Sequence, residues 1–72
     1  MTNTKLLEAK ISESGLKKSY LAKKVNLSLV GFRNCCTNKA EFKASQIQIL
    51  CEELKIYDLN ERQTIFFAND VA

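Results

Sequence analysis

The stretch Lys18-Ser-Tyr-Leu-Ala-Lys-Lys-Val-Asn-Leu-Ser-Leu-Val-Gly-Phe-Arg-Asn-Cys-Cys-Thr37 decides the fold. Leu21, Ala22 and Val25 share one face of a first short helix, and Ala22 is small enough to let a second helix come close. Asn26 falls at the turn between them, where a left-handed backbone is needed and Asn tolerates it better than most non-glycine residues. Leu27 plugs the space between the helices, and Ser28 is a good N-cap for the helix that follows. Phe32, with Cys35 or Cys36, then points back to the core. This spacing predicts a helix-turn-helix over about residues 18–37.

Working outward, a first helix is expected from about Thr4 to Ser14, with Leu7 and Ile11 inward, Leu6 beside them and Gly15 ending it in a left-handed conformation. The second is expected over about 19–25 and the third over about 29–37. Asn38 ends the third, and Phe42 anchors the loop after it. A fourth helix, about 44–54, carries Ile47, Leu50, Cys51 and Leu54 at helical spacing, with Ile49 off that stripe. Asp58-Leu59-Asn60-Glu61 reads as a capping box opening a fifth helix to about Ala68, with Ile65 and Phe66 or Phe67 inward. Residues 69–72 are expected to fray. The chain lacks proline and shows little strand-like alternation, so the expected class is all-α, one compact five-helix domain over residues 1–72.

Seventy-two residues, 46% hydrophobic, suffice for one small core. No run is long enough to span a membrane, and the N-terminus lacks the apolar stretch of a signal peptide. Three cysteines and no histidine argue against a zinc site or a disulfide framework and point to free thiols in a reducing cytoplasm. The missing histidine removes the commonest general base, and no paired carboxylates or Gly-rich phosphate loop stand out. No catalysis, cofactor, metal or small-molecule substrate is therefore expected. The net charge of +3 is unevenly spread: residues 1–43 hold nine Lys/Arg against three acids, residues 44–72 two against five. Positive charge thus gathers around the helix-turn-helix, as an anionic partner would require.

Leu16 through Asn34 resembles the helix-turn-helix of small Cro-like and repressor-like proteins of temperate phages. The likeness continues through Asn38-Lys39-Ala-Glu-Phe42, Ile47 through Leu54 and Ile65-Phe-Phe-Ala68, and so covers about residues 5–70. Within that family the chain looks like the anti-repressors, termed modulators of repression, of temperate lactococcal phages. The resemblance implies a bacterial host cytoplasm and a recognition helix whose outward residues here are Ser28, Leu29, Val30, Arg33, Asn34 and Thr37. It also implies flanking phosphate contacts at Lys17, Lys18, Asn38 and Lys39.

The side chains depart from a base-reading helix. Leu29 and Val30 stand where polar readers are frequent, which leaves Arg33 for guanine and Asn34 for adenine. An apolar pair beside an arginine suits a protein interface, and Tyr20 and Lys24 would extend it along the second helix. Gly31 costs the helix about 1 kcal/mol relative to Ala and is expected to leave a gap where another backbone approaches. Two functions follow as expectations. One is an anti-repressor that binds the DNA-binding domain of its cognate phage repressor and blocks operator binding. The other is a Cro-like repressor that binds double-stranded operator DNA as a dimer.

Overall fold

The structure is a computed structural model that describes residues 1–67. Five helices follow one another: α1 (Thr4–Ser14), α2 (Lys18–Lys24), α3 (Leu29–Cys36), α4 (Ala44–Glu53) and α5 (Leu59–Phe66). The described residues contain no strand, so the all-α expectation is met. No helix among them is long and apolar enough to cross a membrane.

Most of the helix ends follow from local chemistry. The Asn3 side chain accepts the Leu6 N–H to cap α1, and Gly15, at φ 73°, ends it in the left-handed region. Asn26 (φ 58°) and Asn38 (φ 66°) adopt the same region after α2 and α3. Lys55 does so after α4, at φ 58°, although its sequence carries no such signal. The anticipated capping box at α5 is not closed. Asp58 accepts the Asn60 N–H at 2.9 Å, but Glu61 is drawn away to an ion pair with Lys10 of α1 at 3.0 Å. A half-box forms instead at α4, where Gln46 Oε1 accepts the Lys43 N–H at 2.8 Å.

One core holds the helices. Phe32 of α3 is fully buried and meets Phe42 edge-on at 5.8 Å, and Phe42 meets Phe66 of α5 at 6.0 Å. Leu7, Leu21, Leu50 and Ile65 close around them. Both Cys35 and Cys36 are buried, which is possible because α3 packs on α2 on one side and on α1 on the other. Ile49 is half-buried against the core, and of the two adjacent phenylalanines Phe66 is buried while Phe67 faces out. Leu6 is exposed. The expectations for Ala68 and for the end at 69–72 lie outside the described residues.

The N-terminal arm is a feature the helical periodicity did not announce. Thr2 is buried and exchanges two hydrogen bonds with the Asn38 amide: its N–H donates to Oδ1 and its carbonyl accepts from Nδ2, both at 2.9 Å. The Asn3 N–H donates to the Ile65 carbonyl at 2.6 Å, and the Thr4 hydroxyl donates to the Cys36 carbonyl at 2.9 Å. Thr2, Asn3 and Thr4 thus tie the C-terminal ends of α3 and α5 together and satisfy carbonyls that helix ends would otherwise leave open.

Candidate interaction surface

The outward face of α3 is built by a turn that has little freedom. The Leu27 N–H donates to the Ala22 carbonyl at 2.9 Å, and Leu27 lies half-buried under the turn. Ser28 Oγ accepts the Gly31 N–H at 3.0 Å and so starts α3. In the first turn of α3 Leu29 and Val30 reach the surface, Val30 with 68% of its area exposed. Arg33 is exposed one turn on and makes no ion pair among the described residues. The front of α3 is therefore an apolar pair with an unengaged guanidinium behind it.

The other residues singled out from sequence fall into two groups. Lys17 is exposed and makes no ion pair among the described residues; it is the N-cap residue of α2 but offers no side-chain cap. Lys39 is likewise exposed and outside any ion pair there. Lys18, by contrast, is paired with Glu8 Oε2 of α1 at 2.6 Å. The Thr37 hydroxyl donates to the Arg33 carbonyl at 3.0 Å, Asn34 is half-buried and its carbonyl accepts from Lys39 and Ala40, and Asn38 holds Thr2. Ser28 is engaged as the cap. The structure thus brings Leu29, Val30 and Arg33 together as available groups and engages the side chains of Ser28, Thr37 and Asn38 on the protein's own backbone, and that of Lys18 on Glu8.

Tyr20 and Lys24 form a unit of their own. The Tyr20 hydroxyl donates to Glu53 Oε1 of α4 at 2.8 Å, and this bond raises the phenol's pKa above its ordinary value. Lys24 Nζ lies 5.5 Å from the centre of the tyrosine ring, within cation–π range. Tyr20 is anchored to α4 by this bond.

Gly31 serves the protein's own turn. A Cβ built there would lie 3.2 Å from Ser28 Oγ and 3.7 Å from Leu27 Cδ2, because helical Cβ atoms lean toward the N-terminus. The missing side chain makes room for the cap and the turn, and half-exposed Gly31 also lines a shallow surface recess with Leu27, Asn34 and Ile49.

The thiols are held inert. Burial pushes the Cys36 thiol up to about 12, with the Glu8 charge adding to it, and burial also raises Cys35 and Cys51. No group of three His, Cys, Asp or Glu side chains among the described residues is arranged to hold a metal ion.

Comparison with known proteins finds no family model, no curated relative and no solved structure that matches the chain.

Proposed function

We propose that α2, the turn at Asn26 and Leu27, and α3 form a helix-turn-helix of the phage Cro-like and repressor-like kind, used here to bind a protein. In this reading the chain is an anti-repressor. Leu29, Val30 and Arg33 cover the DNA-binding domain of the cognate phage repressor, and the operator is released. The observation that carries it is the exposed Leu29–Val30 pair at the positions where a base-reading helix presents polar groups. Desolvating two aliphatic side chains against a protein is favourable, and Arg33 at their edge is a common interface anchor. The internal engagement of Lys18, Thr37 and Asn38 supports it further, since it thins the set of groups left for phosphates and bases.

A Cro-like DNA-binding repressor is the second reading. What favours it is the set of exposed cations in the basic half, among them Lys17, Lys23, Lys24, Arg33 and Lys39 on and beside the helix-turn-helix, none of these in an ion pair among the described residues. Such a protein would lose affinity steeply with salt, by a log–log slope of about −0.9 for each phosphate neutralised.

One competition experiment separates the two. The purified chain is titrated into repressor bound to labelled operator DNA at physiological salt. Release of the DNA together with a stable protein–protein complex is the expected result, and Leu29→Ser and Arg33→Ala should each weaken release at least tenfold. A salt-sensitive shift of the DNA by this chain alone, with the repressor left in place, would instead establish the DNA-binding reading. Release that both variants perform as well as the parent would move the interface away from α3.

A further inference from the structure

Gln46 of α4 joins two segments that lie far apart in the sequence. It stands three residues after Lys43, the offset from which a capping side chain reaches back, and its Oε1 accepts the Lys43 N–H at 2.8 Å. Its Nε2 donates to the Val25 carbonyl at 3.1 Å, across 21 positions of chain. The two partners fix the amide's orientation, because an N–H must meet its oxygen and a carbonyl its nitrogen. Val25 is the C-cap residue of α2, so its carbonyl is one of those that a helix end leaves open. The turn's own bonds run back into α2: the Val25 N–H donates to Leu21, Asn26 to Lys23 and Leu27 to Ala22. Among the described residues, the Gln46 bond is therefore the one hydrogen bond that ties residues 25–28 to an element other than α2 and α3.

We propose that Gln46 is a positioning residue for the contact made by the front of α3: it fixes the turn on α4 and so sets how Leu29 and Val30 are presented. The proposal rests on the repressor-binding reading. Leu29 follows Val25 closely, and Ser28 between them caps α3, so a rotation of the turn at Val25 carries the exposed pair with it. Leu27 packs half-buried against the core, which seats the turn without setting its direction, because apolar contact is non-directional. The back of α3 is held independently, by Thr4 on the Cys36 carbonyl and by Asn38 on Thr2. α4 also grips the start of α2, where the Tyr20 hydroxyl donates to Glu53 at 2.8 Å. Of these two α4 bonds, only that of Gln46 reaches the turn. The side chain must donate and accept at its tip: Glu can only accept while ionised, and Met can do neither.

Amide hydrogen exchange of the free chain and calorimetric titration against the repressor's DNA-binding domain provide the test. In Gln46→Glu, which keeps the acceptor for Lys43, exchange at Leu27 and Gly31 should quicken at least fivefold, with Leu7 and Leu50 unchanged. Binding should weaken about tenfold. Gln46→Met, similar in length and uncharged, should do the same, which separates the lost bond from the added charge. In a Val30→Asp background either change should cost less than twofold, because Gln46 acts through a contact already removed; a loss of overall stability would not depend on that background. Three outcomes would overturn the proposal: unaltered exchange at Leu27 and Gly31, exchange that quickens equally at Leu7 and Leu50, or effects on binding that simply add to those of Val30→Asp. If the parent chain does not bind the repressor, that reading falls, and the exchange measurement still decides whether Gln46 holds the turn.

Discussion

The two ends of α3 differ in what their side chains have left to offer. At the front, Leu29, Val30 and Arg33 stand exposed with no hydrogen-bond or ion-pair partner among the described side chains. At the back, the Thr37 hydroxyl donates to the Arg33 carbonyl and the Asn38 side chain pairs with the Thr2 backbone, while the backbone carbonyls of Asn34 and Cys36 hold the loop and Thr4. Both ends look equally outward when the helix is drawn from its sequence. The difference teaches that outwardness sets which residues can meet a partner, while internal hydrogen bonding sets which of them still have something to give.

The sharpest way to break that comparison is to cut the back end. Asn38→Ala removes two hydrogen bonds to a buried backbone and forces a Cβ-bearing residue without Asn's local bonding into the left-handed region. The expected loss is about 3 kcal/mol, with each bond worth about 1 and the backbone conformation about 1 more. Asn38→Gly keeps the conformation and should cost only about 2 kcal/mol. Urea denaturation measures both. If the back end is structural, the folded fraction of either variant will release repressor from DNA as well as the parent does.

The same end carries an alkaline liability. Cys36 stays protonated in the folded state up to about 12, whereas an ordinary thiol titrates near 9.0. Above pH 9 the unfolded chain therefore loses a proton that the folded chain keeps, and unfolding is favoured. Stability should be unaffected by this group around neutrality and then fall by about 1.4 kcal/mol per pH unit between 9 and 12. Denaturation curves at pH 7, 9, 10 and 11 check the slope. Burial raises Cys35 and Cys51 in the same direction, so Cys36→Ala should flatten the slope and leave the part those two thiols carry, and a slope that the substitution leaves unchanged would assign it to other groups.

A paired substitution then probes the front against the back directly. Val30→Asp should weaken repressor binding at least tenfold and change stability little, since the side chain is mostly exposed. Thr37→Val should leave binding within about twofold and cost about 0.5–1 kcal/mol for the lost bond to Arg33 O. Calorimetric titration against the repressor's DNA-binding domain measures binding, and thermal melts measure stability. Equal effects on binding at the two positions would erase the distinction between the ends.

How much of this was legible follows from where each signal resides. Asn26, Gly15, Ser28 and Asn38 announce their roles because turn and cap chemistry is local, and the 3.6-residue spacing of Leu7, Ile11, Leu50 and Leu54 places the core. The left-handed turn at Lys55 was invisible, since lysine has no preference for that conformation and the surrounding packing imposes it. The Thr2–Asn38 pairing joins residues 36 apart, and no short-range pattern encodes it. Glu61 was read as a capping residue from its offset to Asp58, yet a lysine on another helix competes for it successfully. For the candidate surface, the apolar character of Leu29 and Val30 was plain. The internal engagement of Lys18, Thr37 and Asn38 depends on tertiary neighbours and appears only in the fold.

Gly31 offers the finest test, because it lies at the front and yet serves the turn. Alanine there should gain up to about 1 kcal/mol in helix propensity. Its Cβ would press on Ser28 Oγ at 3.2 Å, so the cap must shift by a few tenths of an ångström and give back part of its own worth of about 1 kcal/mol. The two terms nearly cancel, and Gly31→Ala should change stability by no more than about 0.5 kcal/mol. Repressor binding should stay within about twofold, because the new methyl group points at Leu27 and Ser28 and away from the exposed face. A loss of tenfold or more in binding at unchanged stability would show that a partner's backbone does approach Gly31, and the front of α3 would then end in a recess rather than in the Leu29–Val30 pair.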